Sequence, residues 1–325
     1  MTTNRVAAVD CGTNSIRLLV ADVAVSADGT PGGLTELDRR MEIVRLGQGV
    51  DRTGRLAPEA LERTFAACRR YAEVLTEFGV PPERTRFVAT SASRDAEKNR
   101  DEFVRGVLDI LGVEPEVITG DQEADLSFTG ATEGLAPGTF PPPYLVVDIG
   151  GGSTEFVLGT EQVEAARSVD VGCVRLTERH LAPGGARTEI PTAEQIAAIR
   201  ADVHAALDEV ARTVPLDRPH TLVGLAGTVT TLGGIALELD AYDSARIHHS
   251  RLPLAQVREL TARLLSATHD ERAAIPVMHP GRVDVISAGA LVLLTLMERI
   301  GAQEVVVSEH DILDGIAHSC AAGRP

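Results

Sequence analysis

The sequence predicts an α/β protein built from two duplicated domains, and three observations favour this class. Short apolar segments of strand length alternate with segments in which apolar residues recur every three or four positions. A stretch rich in glycine and proline, residues 134–143, separates two halves of the chain. The pattern Asp-x-Gly-x-x-Ser follows an apolar strand at residues 10–15 and again at residues 148–153, which indicates an internal repeat.

The elements of the first half follow from local patterns. Apolar runs on both sides of a Gly-Thr-Asn-Ser turn predict a hairpin over residues 6–22, and residues 41–46 predict a further strand. Residues 58–78 predict a helix because apolar side chains recur at helical spacing and Gly79 follows as a stop. A strand at residues 86–90, a helix at 102–111 and a strand leading into the loop at Glu123 complete this half.

The strand and turn pattern starts again at Tyr144. A second, weaker repeated pair, residues 87–93 and 222–228, has an offset of about 135 residues, close to the 138 that separate Asp10 from Asp148. We therefore expect two related domains, residues 1–133 and 134–325, each presenting one Asp/Gly/Ser turn to a cleft. The last helix is expected either to stay with the second domain or to pack back on the first.

Composition narrows the class of function. The chain has 325 residues, 31 basic and 47 acidic side chains and a net charge of −16, with 3% aromatic residues and no Trp. An acidic chain without aromatic platforms is a poor nonspecific binder of nucleic acid. No signal peptide or membrane span is evident and the four cysteines are scattered, so we expect a cytoplasmic protein with free thiols, no membrane contact and no zinc site. The single lysine, Lys98, follows Glu97, which excludes a P-loop.

The strongest local motif runs from Asp148 to Glu155. Three glycines allow successive backbone amides to form a nest for an anion, and the two hydroxyls that follow can donate to it. Asp148 and Glu155 are hard oxygen ligands of the kind that Mg²⁺ prefers. The residues assigned to phosphate binding here are Gly150, Gly151, Gly152, Ser153 and Thr154. A plain hairpin turn with solvated acids is the alternative.

Four other places are candidates for phosphate or proton chemistry. The twin turn has Asp10 as a further metal candidate, with Gly12, Thr13, Asn14 and Ser15 as phosphate-binding residues. Gly227 and Thr228 open a helix whose amides would favour phosphate, or Thr228 simply caps it. Arg94 follows a strand and could clamp phosphate or form a local ion pair. Glu123 could act as a general base or merely complement the helix dipole.

With these motifs in order, the chain resembles the exopolyphosphatase/guanosine pentaphosphate phosphohydrolase (Ppx/GppA) family of the actin-like superfamily, and looks most similar to the short actinobacterial exopolyphosphatases. The resemblance runs nearly end to end and includes the later stretches 279–286 and 307–315. It implies two actin-like (ribonuclease H-like) domains flanking a cleft, Mg²⁺ or another divalent cation as cofactor, and a homodimer. It implies Glu123 as the catalytic glutamate, Asp148 and Glu155 as metal-associated acids, and Arg94 and Arg282 as phosphate-contacting arginines.

Two departures from the family pattern bear on the substrate. The acidic pair often found at the catalytic loop is here Gln122-Glu123, and residues 1–325 contain no segment expected to form the further helical region, resembling an HD domain, of the long family members. We therefore expect Mg²⁺-dependent hydrolysis of the terminal phosphoanhydride of short inorganic polyphosphate. Arg17, which holds the repeat position of Glu155, would supply a cation to that substrate. The alternatives are hydrolysis of pppGpp or another nucleotide, an ATP-dependent kinase of the same superfamily, and a noncatalytic sensor of phosphate compounds.

Overall fold

The computed structural model describes residues 2–27, 29, 31–182 and 189–323. The chain divides into two compact units: unit 1 consists of residues 1–130 and 312–325, and unit 2 of residues 131–311. The last helix thus groups with unit 1, whereas the boundaries predicted from sequence, 1–133 and 134–325, remain a prediction. No described helix is long and apolar enough to cross a membrane.

Strands and helices alternate along both units. The strands are β1 (Thr2–Cys11), β2 (Ser15–Val25), β3 (Pro31–Ile43), β4 (Thr85–Ala89), β5 (Glu116–Val117), β6 (Tyr144–Ile149), β7 (Thr154–Gly159), β8 (Val163–Val169), β9 (Thr221–Leu225), β10 (Arg251–Pro253) and β11 (Glu304–Val307). The helices are α1 (Val50–Thr53), α2 (Pro58–Glu77), α3 (Ser91–Asp95), α4 (Arg100–Leu111), α5 (Gly120–Thr132), α6 (Cys173–Leu176), α7 (Ala193–Val210), α8 (Ala226–Ala236), α9 (Ser244–Ile247), α10 (Leu254–Ser266), α11 (His269–Ala273), α12 (Ile286–Ile300) and α13 (Ile312–Ala321). Short 3₁₀ turns at Pro82–Arg84 and Pro280–Arg282 and a π turn at Thr177–Leu181 complete the elements.

The two sheets share one strand order, which confirms the predicted duplication. Unit 1 has the order β3-β2-β1-β4-β5, and unit 2, read in the same direction, has β8-β7-β6-β9-β11 followed by β10. In both units, the first three strands of this order are antiparallel neighbours. The first strand of each hairpin, β1 or β6, also pairs in parallel with the strand that follows these three in the chain, β4 or β9. The repeated turn therefore occupies the same topological position twice.

The cores explain why these segments form strands and helices. Alternate residues of β1 and β2 lie in two separate apolar clusters, one shared with α2 and α4 and the other with α13, because successive side chains of a strand point to opposite faces. In unit 2 one large cluster joins β6, β7 and β9 to α7, α8, α10 and α12. Cys11, Cys68, Cys173 and Cys320 are free thiols.

The strand predicted at residues 41–46 is wrong in its bounds. The structure has a longer strand, β3, that begins at Pro31 and ends at Ile43. Most of its side chains are exposed or half-buried because β3 is the edge strand of its sheet. An edge strand needs no two-sided apolar pattern, so apolar periodicity does not reveal its first ten residues.

Candidate active site

The predicted site residues fall into two sets, one on each unit. The set on unit 1 comprises Asp10, Gly12, Thr13, Asn14, Ser15, Arg17, Arg94 and Glu123. The set on unit 2 comprises Asp148, Gly150, Gly151, Gly152, Ser153, Thr154, Glu155, Gly227, Thr228 and Arg282. Each set is described below within its own unit.

The turn between β1 and β2 is held from behind by the backbone that follows β3. The amide of Gly12 donates to the Ser15 carbonyl at 2.9 Å. The carbonyl of Thr13 accepts from Gly47 at 2.9 Å, and that of Asn14 accepts from Arg45 at 2.8 Å. With its carbonyls bound on one side, the turn keeps a fixed shape before any ligand arrives.

Two side chains of this turn, those of Thr13 and Asn14, have buried polar atoms. The hydroxyl oxygens of Thr13 and Ser91 lie 2.8 Å apart in a buried hydrogen bond, which joins the turn to α3. The side-chain oxygen of Asn14 is buried without a hydrogen-bond partner among the described residues. This oxygen is an acceptor and needs a donor, so it does not by itself support a contact with phosphate oxygens. The phosphate contact predicted for Asn14 would come from its Nδ2 amide and remains a prediction.

Asp10 and Arg17 form an ion pair across the hairpin. Nη2 and Nε of Arg17 lie 2.7 and 3.0 Å from Oδ2 of Asp10, whose carboxylate is buried. Asp10 therefore already has a cation next to it, which argues for a role in orienting Arg17. Its assignment as a metal ligand stays a prediction.

Arg94 contacts the candidate general base directly. Arg94 lies on α3, and its Nη1 donates to Oε2 of Glu123 at 3.1 Å and to the carbonyl of Ile118 at 3.0 Å. Glu123 is only 7% exposed, in the first turn of α5. The guanidinium stabilises the ionised form of a buried carboxylate, so the geometry favours Arg94 as a partner that orients Glu123, whereas the phosphate contact remains a prediction.

The departure at Gln122 has a structural explanation. The side chain of Gln122 accepts from the backbone of Thr119 at 3.0 Å, and the hydroxyl of Thr119 accepts from the amide of Gln122 at 3.2 Å. This reciprocal pair is a capping box at the start of α5. Gln122 therefore fixes the helix turn that carries Glu123.

In unit 2 the glycine-rich turn is clamped through its carbonyls. Gly150 and Gly151 accept from the amides of residues 173–175 at 2.9–3.0 Å, and the carbonyl of Gly152 accepts from Nε of Arg175 at 2.6 Å. A Cβ on Gly172 would lie 2.4 Å from the carbonyl oxygen of Gly151, so this close approach requires glycine. The clamp holds the turn carbonyls on one side, as a nest of outward-facing amides requires.

The predicted metal acids face each other across the hairpin of β6 and β7. Asp148 and Glu155 are register partners, and both are buried. The hydroxyl of Ser168 on β8 donates to Oε1 of Glu155 at 2.7 Å. Since Mg²⁺ in proteins is bound by one or two carboxylates plus water and substrate oxygens, this pair fits a divalent cation. No cluster of three or more His, Cys, Asp or Glu ligands occurs in the described part of the chain.

The start of α8 brings Gly227 and Arg282 together. A Cβ on Gly227 would lie 2.5 Å from the guanidinium carbon of Arg282, and Nη1 of Arg282 donates to the hydroxyl of Thr231 at 3.0 Å. Thr228 is 5% exposed, and its hydroxyl oxygen would lie 2.5 Å from a Cβ on Gly289 of α12. Arg282 is therefore held beside the first turn of α8, where backbone amides favour anions.

The hydroxyl of Thr154 donates to a backbone carbonyl of its own unit. Its buried hydroxyl donates to the carbonyl of Val171, so that proton goes to the backbone. Ser153 is 2% exposed, and its carbonyl accepts from Gly150 at 3.1 Å. A phosphate contact from either hydroxyl remains a prediction.

Comparison with known proteins identifies the family. Residues 23–321 match the model of the Ppx/GppA phosphatase family. The chain belongs to the Ppx/GppA phosphatase family. It is 51% identical over 330 residues to a Mycobacterium tuberculosis protein named Exopolyphosphatase 2, covering 99% of this chain and 100% of that protein.

Solved structures of the Ppx/GppA family share the fold. An Aquifex aeolicus family member is 31% identical, covers 98% of this chain and 97% of its own, and superposes with a TM-score of 0.78. An exopolyphosphatase from Cytophaga hutchinsonii, 22% identical over 99% of both chains, has a TM-score of 0.86 and supports the fold alone. The predicted fold class, two actin-like α/β units, and the predicted resemblance to a family of phosphatases are both confirmed.

Sequence reasoning missed three polar residues around the family motifs. Arg175 binds the glycine-rich turn, Ser168 binds Glu155, and Arg100 binds the carbonyls of Ser93 and Arg94. None lies in a repeated motif, and each acts through a side chain that returns to the motif from another element. Only the position of Ser168, on the strand after the motif, offered a signal in the sequence.

Proposed function

We propose that this member of the Ppx/GppA family is an exopolyphosphatase that releases terminal phosphate from short inorganic polyphosphate. The observation that carries the proposal is the buried carboxylate of Glu123, held by Arg94. The full-length match to a relative named Exopolyphosphatase 2 supports the same substrate. Polyphosphate is accordingly preferred to pppGpp, to an acceptor that would make the protein a kinase, and to a sensing role.

The unit 1 residues supply the base and the first phosphate contacts. A carboxylate oxygen of Glu123 takes a proton from water as the water oxygen bonds to the terminal phosphorus. The bridging P–O bond breaks, and the products are orthophosphate and a chain shortened by one unit. Arg94 orients the carboxylate through its hydrogen bond to Oε2, while the turn at Thr13 and Asn14 contacts phosphate oxygens.

The unit 2 residues supply charge neutralisation. Asp148 and Glu155 would hold a divalent cation, proposed to be Mg²⁺, which when bound would neutralise non-bridging phosphate oxygens. The amides of the turn at residues 150–153 and the guanidinium of Arg282 bind further phosphate oxygens. Assembly as a homodimer stays a prediction.

Replacement of Glu123 by Gln tests the proposal. We expect Mg²⁺-dependent phosphate release from tripolyphosphate by the wild type, and a kcat lower by about 10²–10⁴-fold in Glu123→Gln with KM nearly unchanged, because only the base is lost. Asp121→Asn, an exposed acid in the same helix turn, is the matched control and should keep full activity.

Two other results would redirect the assignment. Equal activity of the wild type and Glu123→Gln would support the phosphatase activity but show that Glu123 is not its general base. A wild type silent on tripolyphosphate but active on pppGpp would replace the substrate.

A further inference from the structure

A second arginine is bound to the backbone from which Arg94 projects. Nε of Arg100 donates to the carbonyl of Ser93 at 2.8 Å, and its Nη2 donates to the carbonyl of Arg94. These carbonyls lie in α3, near its C-terminal end. Arg100 thus hydrogen-bonds to the two peptide carbonyls that flank the Cα of Arg94.

Arg100 lies at the N-terminal end of a helix and binds the C-terminal end of another. It is the first residue of α4, a position where a positive charge opposes the helix dipole. Its side chain turns back to the C-terminal end of α3, where a cation is favourable and unpaired helix carbonyls need donors. The planar guanidinium can serve two carbonyls at once, which an ammonium cannot do in the same geometry.

The short helix needs such support. Residues 91–95 form little more than one turn, and a helix of this length has no stability of its own in water. At its other end, Ser91 is joined to Thr13 through their hydroxyls. Arg100 therefore fixes the end of α3 that carries Arg94.

The effect of Arg100 reaches Glu123 through Arg94. Nη1 of Arg94 is shared between the Ile118 carbonyl and the Glu123 carboxylate, at 3.0 and 3.1 Å. A shift of the Arg94 backbone moves this guanidinium, and with it the orientation of the carboxylate. Misplacement of a reacting group by about 1 Å can lower a rate by about 10²-fold.

We infer that Arg100 is a positioning residue that acts through Arg94 on the general base Glu123. This inference rests on the proposed function of Glu123. It assigns to Arg100 an effect on the rate of the chemical step and none on the binding of phosphate chains.

The neighbouring cations provide matched controls. Nζ of Lys98 donates to the carbonyl of Thr53 at 2.7 Å, so this lysine supports a different segment. Arg105, on the exposed face of α4, donates to the carbonyl of Asp101 in its own helix at 3.2 Å. Neither side chain contacts α3 in these hydrogen bonds, and both carry the same charge as Arg100.

The test compares Arg100→Ala, Arg100→Lys, Lys98→Ala and Arg105→Ala in the full chain, using tripolyphosphate with Mg²⁺. We expect Arg100→Ala to lower kcat by about 10- to 100-fold, with KM within twofold of the wild type. Arg100→Lys should recover part of the loss because it can serve one carbonyl, and the two control variants should match the wild type. Melting temperatures report whether each variant is folded.

A double-variant cycle distinguishes positioning from independent action. Because Arg100 acts through Arg94, Arg94→Ala/Arg100→Ala should have the kcat of Arg94→Ala alone. The inference would be overturned if the double variant lost kcat by the product of the two single losses. An unchanged kcat in Arg100→Ala would also overturn it. So would an equal fall in kcat in Arg100→Ala and Arg105→Ala that parallels their fall in melting temperature. A wild type inactive on tripolyphosphate would instead refute the proposed function.

Discussion

Asp10 and Asp148 occupy the same place in their sheets, yet their partners across the hairpin carry opposite charges. Asp10 faces Arg17, and Asp148 faces Glu155. Opposite charges on facing strands are stabilising, whereas two like charges are destabilising unless a cation lies between them. The duplicated position has thus become an ion pair in unit 1 and a candidate cation site in unit 2.

This difference predicts how magnesium affects stability. MgCl₂ should raise the melting temperature of the wild type and EDTA should reverse the rise, with a gain of about 2.7 kcal/mol at a free Mg²⁺ of 100 times Kd. Glu155→Gln removes one of the two carboxylates proposed to hold the cation, so the Mg²⁺-dependent shift in melting temperature should be largely lost. Thermal unfolding with and without Mg²⁺ measures this shift.

Glu164→Gln is the control, since Glu164 is an exposed acid on β8 paired with Arg218. It should respond to Mg²⁺ like the wild type. A full Mg²⁺ shift in Glu155→Gln would contradict the assignment of the cation to this pair.

Among the elements, α13 shows how the end of the chain completes unit 1. Its apolar residues Ile312, Leu313 and Ile316 cover one face of the β1–β2 hairpin. Arg39 of β3 forms an ion pair at 2.6 Å with Asp314, which is 1% exposed. Gly315 allows the helix to approach α5, because a Cβ there would lie 2.1 Å from the carbonyl oxygen of Leu126.

Gly315→Ala should therefore destabilise the protein by about 1–3 kcal/mol, the usual cost of overpacking. This loss is expected although alanine favours helix over glycine by about 1 kcal/mol. Urea unfolding measures the difference. Gly138→Ala, where the added Cβ meets nothing within 4 Å, is the control, and equal stability of the two variants would refute the tight packing of α13 on α5.

For the whole molecule, histidine protonation links stability to pH. Burial lowers the pKa of His249 below its usual value, and nearby His310 lowers it further. Burial and Arg282 likewise lower the pKa of His279. Nε2 of His249 is buried without a hydrogen-bond partner in the described part of the chain. With both pKa values lowered, each imidazole holds its proton less readily in the folded protein than in the unfolded chain.

Below about pH 6.5 the unfolded chain binds more protons at these histidines than the folded protein does. The free energy of unfolding should therefore fall as the pH drops below about 6.5, by at most about 1.4 kcal/mol per pH unit for each histidine. His249→Gln should have a shallower slope than the wild type between pH 5 and 6.5. Urea unfolding measures the free energy of unfolding of both proteins at each pH. The same dependence on pH in the wild type and His249→Gln would refute the role of His249.

The sequence by itself determined the α/β class, the duplication and the place of each Asp/Gly/Ser turn. Apolar periodicity and repeated motifs are local properties that a single segment carries. They failed at β3, whose exposed edge has no such pattern. Glu123, Arg94 and the Asp148–Glu155 motif were likewise predictable as candidates because they follow strand ends in recognisable patterns.

Only the tertiary structure decided the partners of those candidates. It paired Arg94 with Glu123 and Asp10 with Arg17, gave the hydroxyl proton of Thr154 to Val171, and brought Arg100 and Arg175 back onto the motif backbones. A hydrogen bond between side chain and backbone depends on distance and angle in the folded chain. No spacing along the sequence encodes that geometry when the two groups come from different elements.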